Sequence, residues 1–379
     1  MLNRDRLALA LTQRAEKIFS YRQQAFALSP EQWRAIVADP IVLNRIAALR
    51  ETYNLISWQG SLAQTFTVDP ITNYQVLAVD GSQIYPDRNV AGVQCCLINI
   101  GGCCINYDSV SKASFFSHPA VIVPEDLGEL GFAPELVDLE REAREFTAAY
   151  DYVTQLDVTT KPTLGLFDGS LIFWHLESKP QGVRDYFLNH YCQALDRWYK
   201  AGIPMASYIS MPKHKELALL VVYGLCNAAH ADAYACPQEY AGLCAQSDSL
   251  IDSLIVETLL QPGQRTTLMQ SNSPITKDYP IHLAPWFFYM NVGKEIVRVE
   301  FPAWVAHDTQ HLETVASICL DQAIKGRGYP VTLAEAHEQA VVKGPDRDFF
   351  YHLIRKIGFD YERNIVMSQK SIKKRGIGV

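Results

Sequence analysis

Two Asp-Gly-Ser triplets, Asp80-Gly81-Ser82 and Asp168-Gly169-Ser170, each close an apolar run with the composition of a buried strand. The first follows Gln75-Val76-Leu77-Ala78-Val79 and the second Leu164-Gly165-Leu166-Phe167. An acidic residue where a buried strand gives way to a glycine turn is costly unless something positive sits beside it. Two such strand ends can bring two carboxylates within a few ångströms, and like charges that close need a cation. The pair therefore points to a divalent-metal site. The alternative for either triplet is an aspartate that caps its own turn through backbone hydrogen bonds.

The elements around the triplets say how they could meet. Residues 1–56 read as helical, with Leu7, Ala10, Leu11, Ala15 and Ile18 at helical spacing. A strand-rich block follows at 65–68, 75–80, 91–100 and 103–110, broken by Pro86-Asp87-Arg88-Asn89 and by Gly101-Gly102. Short links between successive strands imply an antiparallel meander of three. A helix from Pro134 to Leu156 then leads to the strand 163–168. A strand reached through a helical crossover lies parallel and adjacent to an earlier one, which sets Asp80 and Asp168 on neighbouring strands. This order opens the ribonuclease H-like fold, so the expected class is α/β, a mixed sheet flanked by helices.

That helix offers a third carboxylate. Leu139, Phe146, Ala149, Val153 and Leu156 form an apolar stripe. At ~100° per residue, Glu142 falls near its middle, Glu145 beside it and Glu140 on the far side. Glu142 is the first choice and Glu145 the second; the plain alternative is an edge glutamate that snorkels to solvent.

Further on, a helix at 182–200, a strand at 204–210 and a hairpin of 286–290 with 296–300 around Asn291-Val292-Gly293-Lys294 are expected. Residues 226–280 are turn-rich and poorly periodic, which marks an insertion or subdomain. The expected division is therefore a helical segment over 1–65 and a catalytic domain over 66–379. His337 lies on a helix four residues after Leu333 and three before Ala340, a position that also suits a satisfied core histidine. Gly344-Pro345-Asp346 interrupts the helix, with Asp346 capping the next one at 347–357.

Composition sets the outer limits. The chain has 379 residues, a formal charge of −7 and 48% hydrophobic content, the profile of an ordinary globular protein. No stretch nears the ~18 consecutive apolar residues of a membrane span, and the first six residues lack a signal-peptide core. A cytoplasmic protein is expected, with its nine cysteines reduced. Cys95-Cys96 and Cys103-Cys104 sit in strand-like sequence as small hydrophobes, while Cys226, His230, Cys236 and Cys244 match no standard zinc spacing. The net charge does not announce a nucleic-acid binder, although Lys370, Lys373, Lys374 and Arg375 form a basic run near the end.

With these residues in view, the chain resembles the NurA family of DNA-end-processing nucleases. The resemblance rests on Val79-Asp80-Gly81-Ser82, Phe167-Asp168-Gly169-Ser170-Leu171, Tyr208-Ile209-Ser210 and Val297-Arg298-Val299-Glu300-Phe301-Pro302. Tyr329-Pro330 leading to Ala336-His337, Gly344-Pro345-Asp346-Arg347 and the closing Ser368-Gln369-Lys370-Ser371 continue it in order. It implies a ribonuclease H-like core with a manganese-dependent nuclease site, magnesium being the other hard cation to consider. It also implies a homodimer that works with a hexameric HerA-type translocase in break repair. On the matched positions, Asp80, Asp168, Tyr329 and His337 take the family's catalytic and metal-site roles, with Glu142 as the helix acid. DNA contacts are expected from Arg298, Lys370, Lys373 and Lys374, with an Arg298–Glu300 structural pair as the alternative for the first. A non-catalytic DNA-binding adaptor, or a metal phosphoesterase acting on RNA or a small nucleotide, are the competing readings.

Overall fold

The computed structural model describes residues 2–23, 29–87, 90–91, 93–108, 110–225, 250–361 and 366–367. The chain divides into two compact units, neither of them contiguous. The smaller takes Met1–Thr67, Ser210–Ser273 and Phe287–Arg298; the larger takes Val68–Ile209, Pro274–Trp286 and Val299–Val379.

The larger unit is built on a mixed sheet. Its strands are β1 (Tyr74–Ile84), β2 (Cys96–Tyr107), β3 (Lys112–Ile122), β4 (Thr163–Asp168) and β5 (Met205–Ser210), in the spatial order β3-β2-β1-β4-β5. The first three form the expected antiparallel meander, and β4 runs parallel to both β1 and β5. Helix α1 (Pro134–Val153) makes the crossover, which is why β4 returns beside β1 in the same direction. Leu136, Val137, Leu139, Phe146, Ala149 and Val153 are its buried face. Phe146 packs on Phe167 of β4 with ring centroids 4.9 Å apart, next to Phe173 and Tyr191. Burial of each such side chain contributes about 1.5–3 kcal/mol. Helices α2 (Gln181–Ala201), α3 (Thr309–Lys325), α4 (Val331–Ala340) and α5 (Gly344–Asp360) complete the unit.

Several strand boundaries differ from those read in the sequence, and two of the differences turn on glycines. Gly101-Gly102 does not interrupt the sheet: β2 runs through them, and the third strand is 112–122 rather than 103–110. A Cβ on Gly101 would lie 2.2 Å from the backbone nitrogen of Ala340, and one on Gly102 would lie 2.1 Å from the Phe116 ring. These glycines allow close approach of α4 and of a neighbouring strand's side chain, a need that sequence cannot distinguish from a turn. Likewise β1 continues past Asp80, and Gly81 pairs with Ile100. Only the second triplet turns the chain, with Gly169 at φ +94°. Helix α5 also begins earlier than expected, and Asp346 lies inside it, accepting the Lys343 N–H at 2.9 Å.

In the smaller unit, helices Pro30–Ala38 and Pro40–Tyr53 share one core with Glu216–Leu225 and the strand residues Phe287 and Tyr289. Trp33, Ile36, Val42 and Ile46 meet Leu220, Val221 and Ile255 there. The helix Arg4–Gln23 forms as the spacing predicts, yet Leu7, Leu11 and Ile18 are exposed. In the segment expected to be an insertion, residues 226–249 lie outside the described residues, and with them Cys226, His230, Cys236 and Cys244. The rest of it is short: a helix at Asp252–Glu257, strands at Gln264–Thr266 and Met269–Gln270, and single turns. Cys96, Cys103 and Cys104 are free and buried, as small hydrophobes should be. Among the described residues no helix is long and apolar enough to cross a membrane.

Candidate functional site

The parallel register pairs Val79 with Phe167, so the next residue of each strand, Asp80 and Asp168, stands at the same level of the sheet. Alternation along the strands then puts the two carboxylates on a common face. The field between them is visible in Asp168. Its carboxyl is pushed above the ordinary aspartate range, first by loss of solvation among its neighbours and second by the Asp80 charge. A hydrogen bond from Tyr329, the Gly169 N–H and the imidazole of His337 pull the other way.

Asp80 uses both oxygens. Oδ1 accepts the Gly81 N–H at 2.8 Å, and Oδ2 lies 2.8 Å from Nδ1 of His337. His337 is therefore no core histidine; its side chain is 62% exposed and turned to the carboxylate. Its helix is held in place from several sides. Gly101 lets α4 sit on β2. At the helix end, Ser82 Oγ and Asn99 Nδ2 both donate to the Ala340 carbonyl, at 2.5 and 2.8 Å. At its start, where Pro330 brings no side-chain cap, Gln322 Oε1 accepts the Thr332 N–H at 3.1 Å.

Tyr329 reaches Asp168 from a strained turn. Arg327 and Gly328 both have positive φ, and a Cβ on Gly326 would fall 1.8 Å from the Tyr329 carbonyl oxygen. The ring of Tyr208 meets that of Tyr329 edge-on at 5.8 Å, and its hydroxyl donates to the Gly328 carbonyl at 3.3 Å. The turn of the second triplet has its own support in Glu300. That buried carboxylate accepts from Ser170 Oγ and the Leu171 N–H, both at 2.8 Å.

Helix α1 brings two glutamates to the cluster. Glu145 lies against the Asp80 strand: a Cβ on Gly81 would be 2.5 Å from its Oε1. Burial pushes its carboxyl up to about 8; the Arg141 charge opposes the shift, while Asp80 and Glu142 add to it. Arg141 pairs with Glu145, and its Nη1 reaches the Gly81 carbonyl at 3.5 Å. Glu142 is held instead by His175, with Oε2 3.0 Å from Nε2. Asp80, Asp168, Tyr329 and His337 are thus brought together, with Glu145 beside them and Glu142 one helical step away.

Arg298, expected at DNA, is fully buried in the smaller unit. Its guanidinium stacks 3.5 Å from the Phe287 ring centroid and pairs with Glu216, so it has no surface to offer a phosphate. Lys370, Lys373 and Lys374 lie outside the described residues. Arg141, His175 and Gln322 are supporting residues of the site that sequence reading passed over, and Glu300, read there only beside Arg298, supports the second triplet. Arg141 alone carried a signal there, four residues before Glu145 on one helix face.

The donor set fits a hard divalent cation. It holds carboxylate oxygens from two neighbouring strands and one helix, a neighbouring imidazole, and an aspartate whose charge its surroundings disfavour. Among the described residues no three His, Cys, Asp or Glu groups stand in closed ligand geometry.

Comparison with known proteins adds the following. The family model described as the NurA domain matches residues 74–342. The crystal structure of the NurA nuclease from Sulfolobus solfataricus superposes with a TM-score of 0.51 at 15% identity, over 95% of this chain and 98% of that one, a likeness of fold. A crystal structure of NurA with manganese aligns at 13% identity and a TM-score of 0.40, over 83% of this chain and 96% of the other. No curated protein sequence matches.

Proposed function

Because the chain belongs to the NurA family, we propose that it is a metal-dependent DNA nuclease that hydrolyses phosphodiesters while processing DNA ends. One observation carries the reading: Asp80 and Asp168 stand level on adjacent parallel strands, with His337 on the first and Tyr329 on the second. The strand order β3-β2-β1-β4-β5 supports a ribonuclease H-like core.

A phosphodiester resists attack because its charge repels the nucleophile and its leaving alkoxide is poor. Asp80, Asp168 and a helix acid would hold manganese or magnesium, which when bound neutralises phosphate charge and lowers the pKa of water. The contact of Glu145 with the Asp80 strand supports Glu145 over Glu142 as that acid. Asp80 fixes the His337 ring through Nδ1. That leaves Nε2 to give a proton to the leaving oxygen. The Tyr329 hydroxyl orients Asp168 and can be shared with a phosphate oxygen. The proposal extends to a homodimer acting with a HerA-type translocase, for which family membership is the support.

The test is cleavage of end-labelled linear duplex and single-stranded DNA with Mn²⁺, Mg²⁺ or EDTA, beside Asp80→Asn. Metal-dependent shortening that the variant loses, with its fold retained, is the expected result. No cleavage with any metal, with or without a translocase, overturns the reading.

A further inference from the structure

We propose that the Arg141 guanidinium is the resident counter-cation of this carboxylate cluster and competes with a divalent cation for Glu145. The inference rests on the metal-dependent reading above and deepens it. Asp138, Arg141, Glu142 and Glu145 are spaced at helix positions i, i+3, i+4 and i+7, so they form one stripe of α1. A single basic residue is thus set among three acids, and the stripe faces the strand that carries a fourth, Asp80.

The pair is built into the fold. Arg141 is only 25% exposed and Glu145 12%, and both are packed against the β1 backbone where Gly81 lacks a side chain. A Cβ there would come within 2.5 Å of Glu145 Oε1 and 2.7 Å of Arg141 Cγ. The glycine of the first triplet makes no turn, since β1 continues through it. Its missing side chain is the space in which the Arg141–Glu145 pair lies. Each acid near the centre has its own partner: His337 for Asp80, Tyr329 for Asp168, His175 for Glu142 and Arg141 for Glu145.

Two cations that share one carboxylate weaken each other's hold on it, and the coupling is reciprocal. Arg141 therefore holds Glu145 in position before a metal arrives, and lowers the affinity of the metal that takes it. Arg141 is a positioning residue, acting through Glu145.

The experiment is calorimetric titration of Mn²⁺ into the metal-stripped full-length protein. Arg141→Gln removes the charge and should bind Mn²⁺ about tenfold more tightly than the unaltered protein. Arg141→Lys, which keeps the charge, should stay near it. A merely structural role predicts the opposite sign, because a disturbed site binds metal more weakly. Equal or weaker binding by Arg141→Gln overturns the proposal while leaving the nuclease reading in place. No Mn²⁺ binding by the unaltered protein overturns both. If the single variant does not fold, Arg141→Gln/Glu145→Gln, which leaves no unpaired buried charge, decides the matter. It should bind Mn²⁺ no more tightly than Glu145→Gln alone, and a persisting gain refutes competition at Glu145.

Discussion

At the scale of single residues, the site places acids where folding alone would not. Asp168 is disfavoured as an anion by its surroundings and by Asp80. Replacing it with asparagine removes that repulsion and keeps an acceptor for Tyr329. In EDTA at pH 7, Asp168→Asn is expected to melt no lower than the unaltered protein while cleavage with Mn²⁺ is lost; a marked fall in melting temperature would show the carboxylate to be structural. Tyr329→Phe should separate the same two roles from the other side. It deletes one hydrogen bond to a carboxylate, about 1.5–3 kcal/mol of local interaction. Cleavage should therefore fall about tenfold or more, read as kcat at saturating DNA. Asp80, Asp168 and His337 were legible in the sequence because an acid closing an apolar run, or an imidazole on a short helix, is locally odd. The partners of those residues were not. Glu300 and Gln322 look like any buried polar side chain until the fold brings Ser170 and Thr332 to them.

At the scale of elements, order and direction were readable and glycine was not. A strand reached through a helical crossover returns parallel and adjacent, so Asp80 and Asp168 on neighbouring strands followed from element order, while the register that sets them level came only with the fold. Gly101-Gly102 reads as a turn because glycine is common there, whereas its role is to bring α4 onto β2. The two glycines differ in what they face, and this gives a prediction. A methyl on Gly101 meets the backbone of Gln339 and Ala340, which cannot move without shifting α4 and the His337 it carries. A methyl on Gly102 meets the far end of the half-buried Phe116 ring on strand β3, a side chain that can shift while the backbone stays in place. Gly101→Ala should cost about 3 kcal/mol in urea unfolding and reduce cleavage; Gly102→Ala should cost about 1 kcal/mol and spare cleavage. Equal costs would mean that helix placement does not depend on the bare backbone at 101.

At the scale of the molecule, the fold class was legible but the division into units was not. The smaller unit gathers three separated stretches, joined by antiparallel pairing of Ser57 with Gln270, Thr65 with Thr266 and Met290 with Arg265, and by long-range packing of Trp33, Val221 and Tyr289. Its core also encloses a polar group set that no motif announces: Arg298 on Glu216, and Asp252 accepting from the Ala218 N–H and the Tyr289 hydroxyl. Asp252 and His214, whose carbonyl accepts the Asp252 N–H at 2.9 Å, respond to acid in opposite ways. His214 is pushed down to about 4, first by burial and then by the Arg298 charge, with Glu216 opposing. Below its ordinary pKa near 6.5 the unfolded chain takes a proton that the folded one refuses. His214 therefore withdraws stability as pH falls from 6.5 to 4. Asp252 is pushed up to about 6, chiefly by burial and also by Glu216, against its hydrogen bonds. Between 3.8 and 6 the folded chain holds the extra proton, so Asp252 returns stability over nearly the same fall in pH. The two slopes oppose each other, each at most about 1.4 kcal/mol per pH unit. Urea unfolding from pH 6 to pH 4 should expose them separately. Relative to the unaltered protein, His214→Gln should gain stability on acidification and Asp252→Asn should lose it. Taking differences removes the background from surface carboxylates common to all three proteins. Parallel curves would mean that neither group is buried in the state that titrates. Divergent curves would mean that this core is kept nearly insensitive to pH by compensation between two misplaced charges.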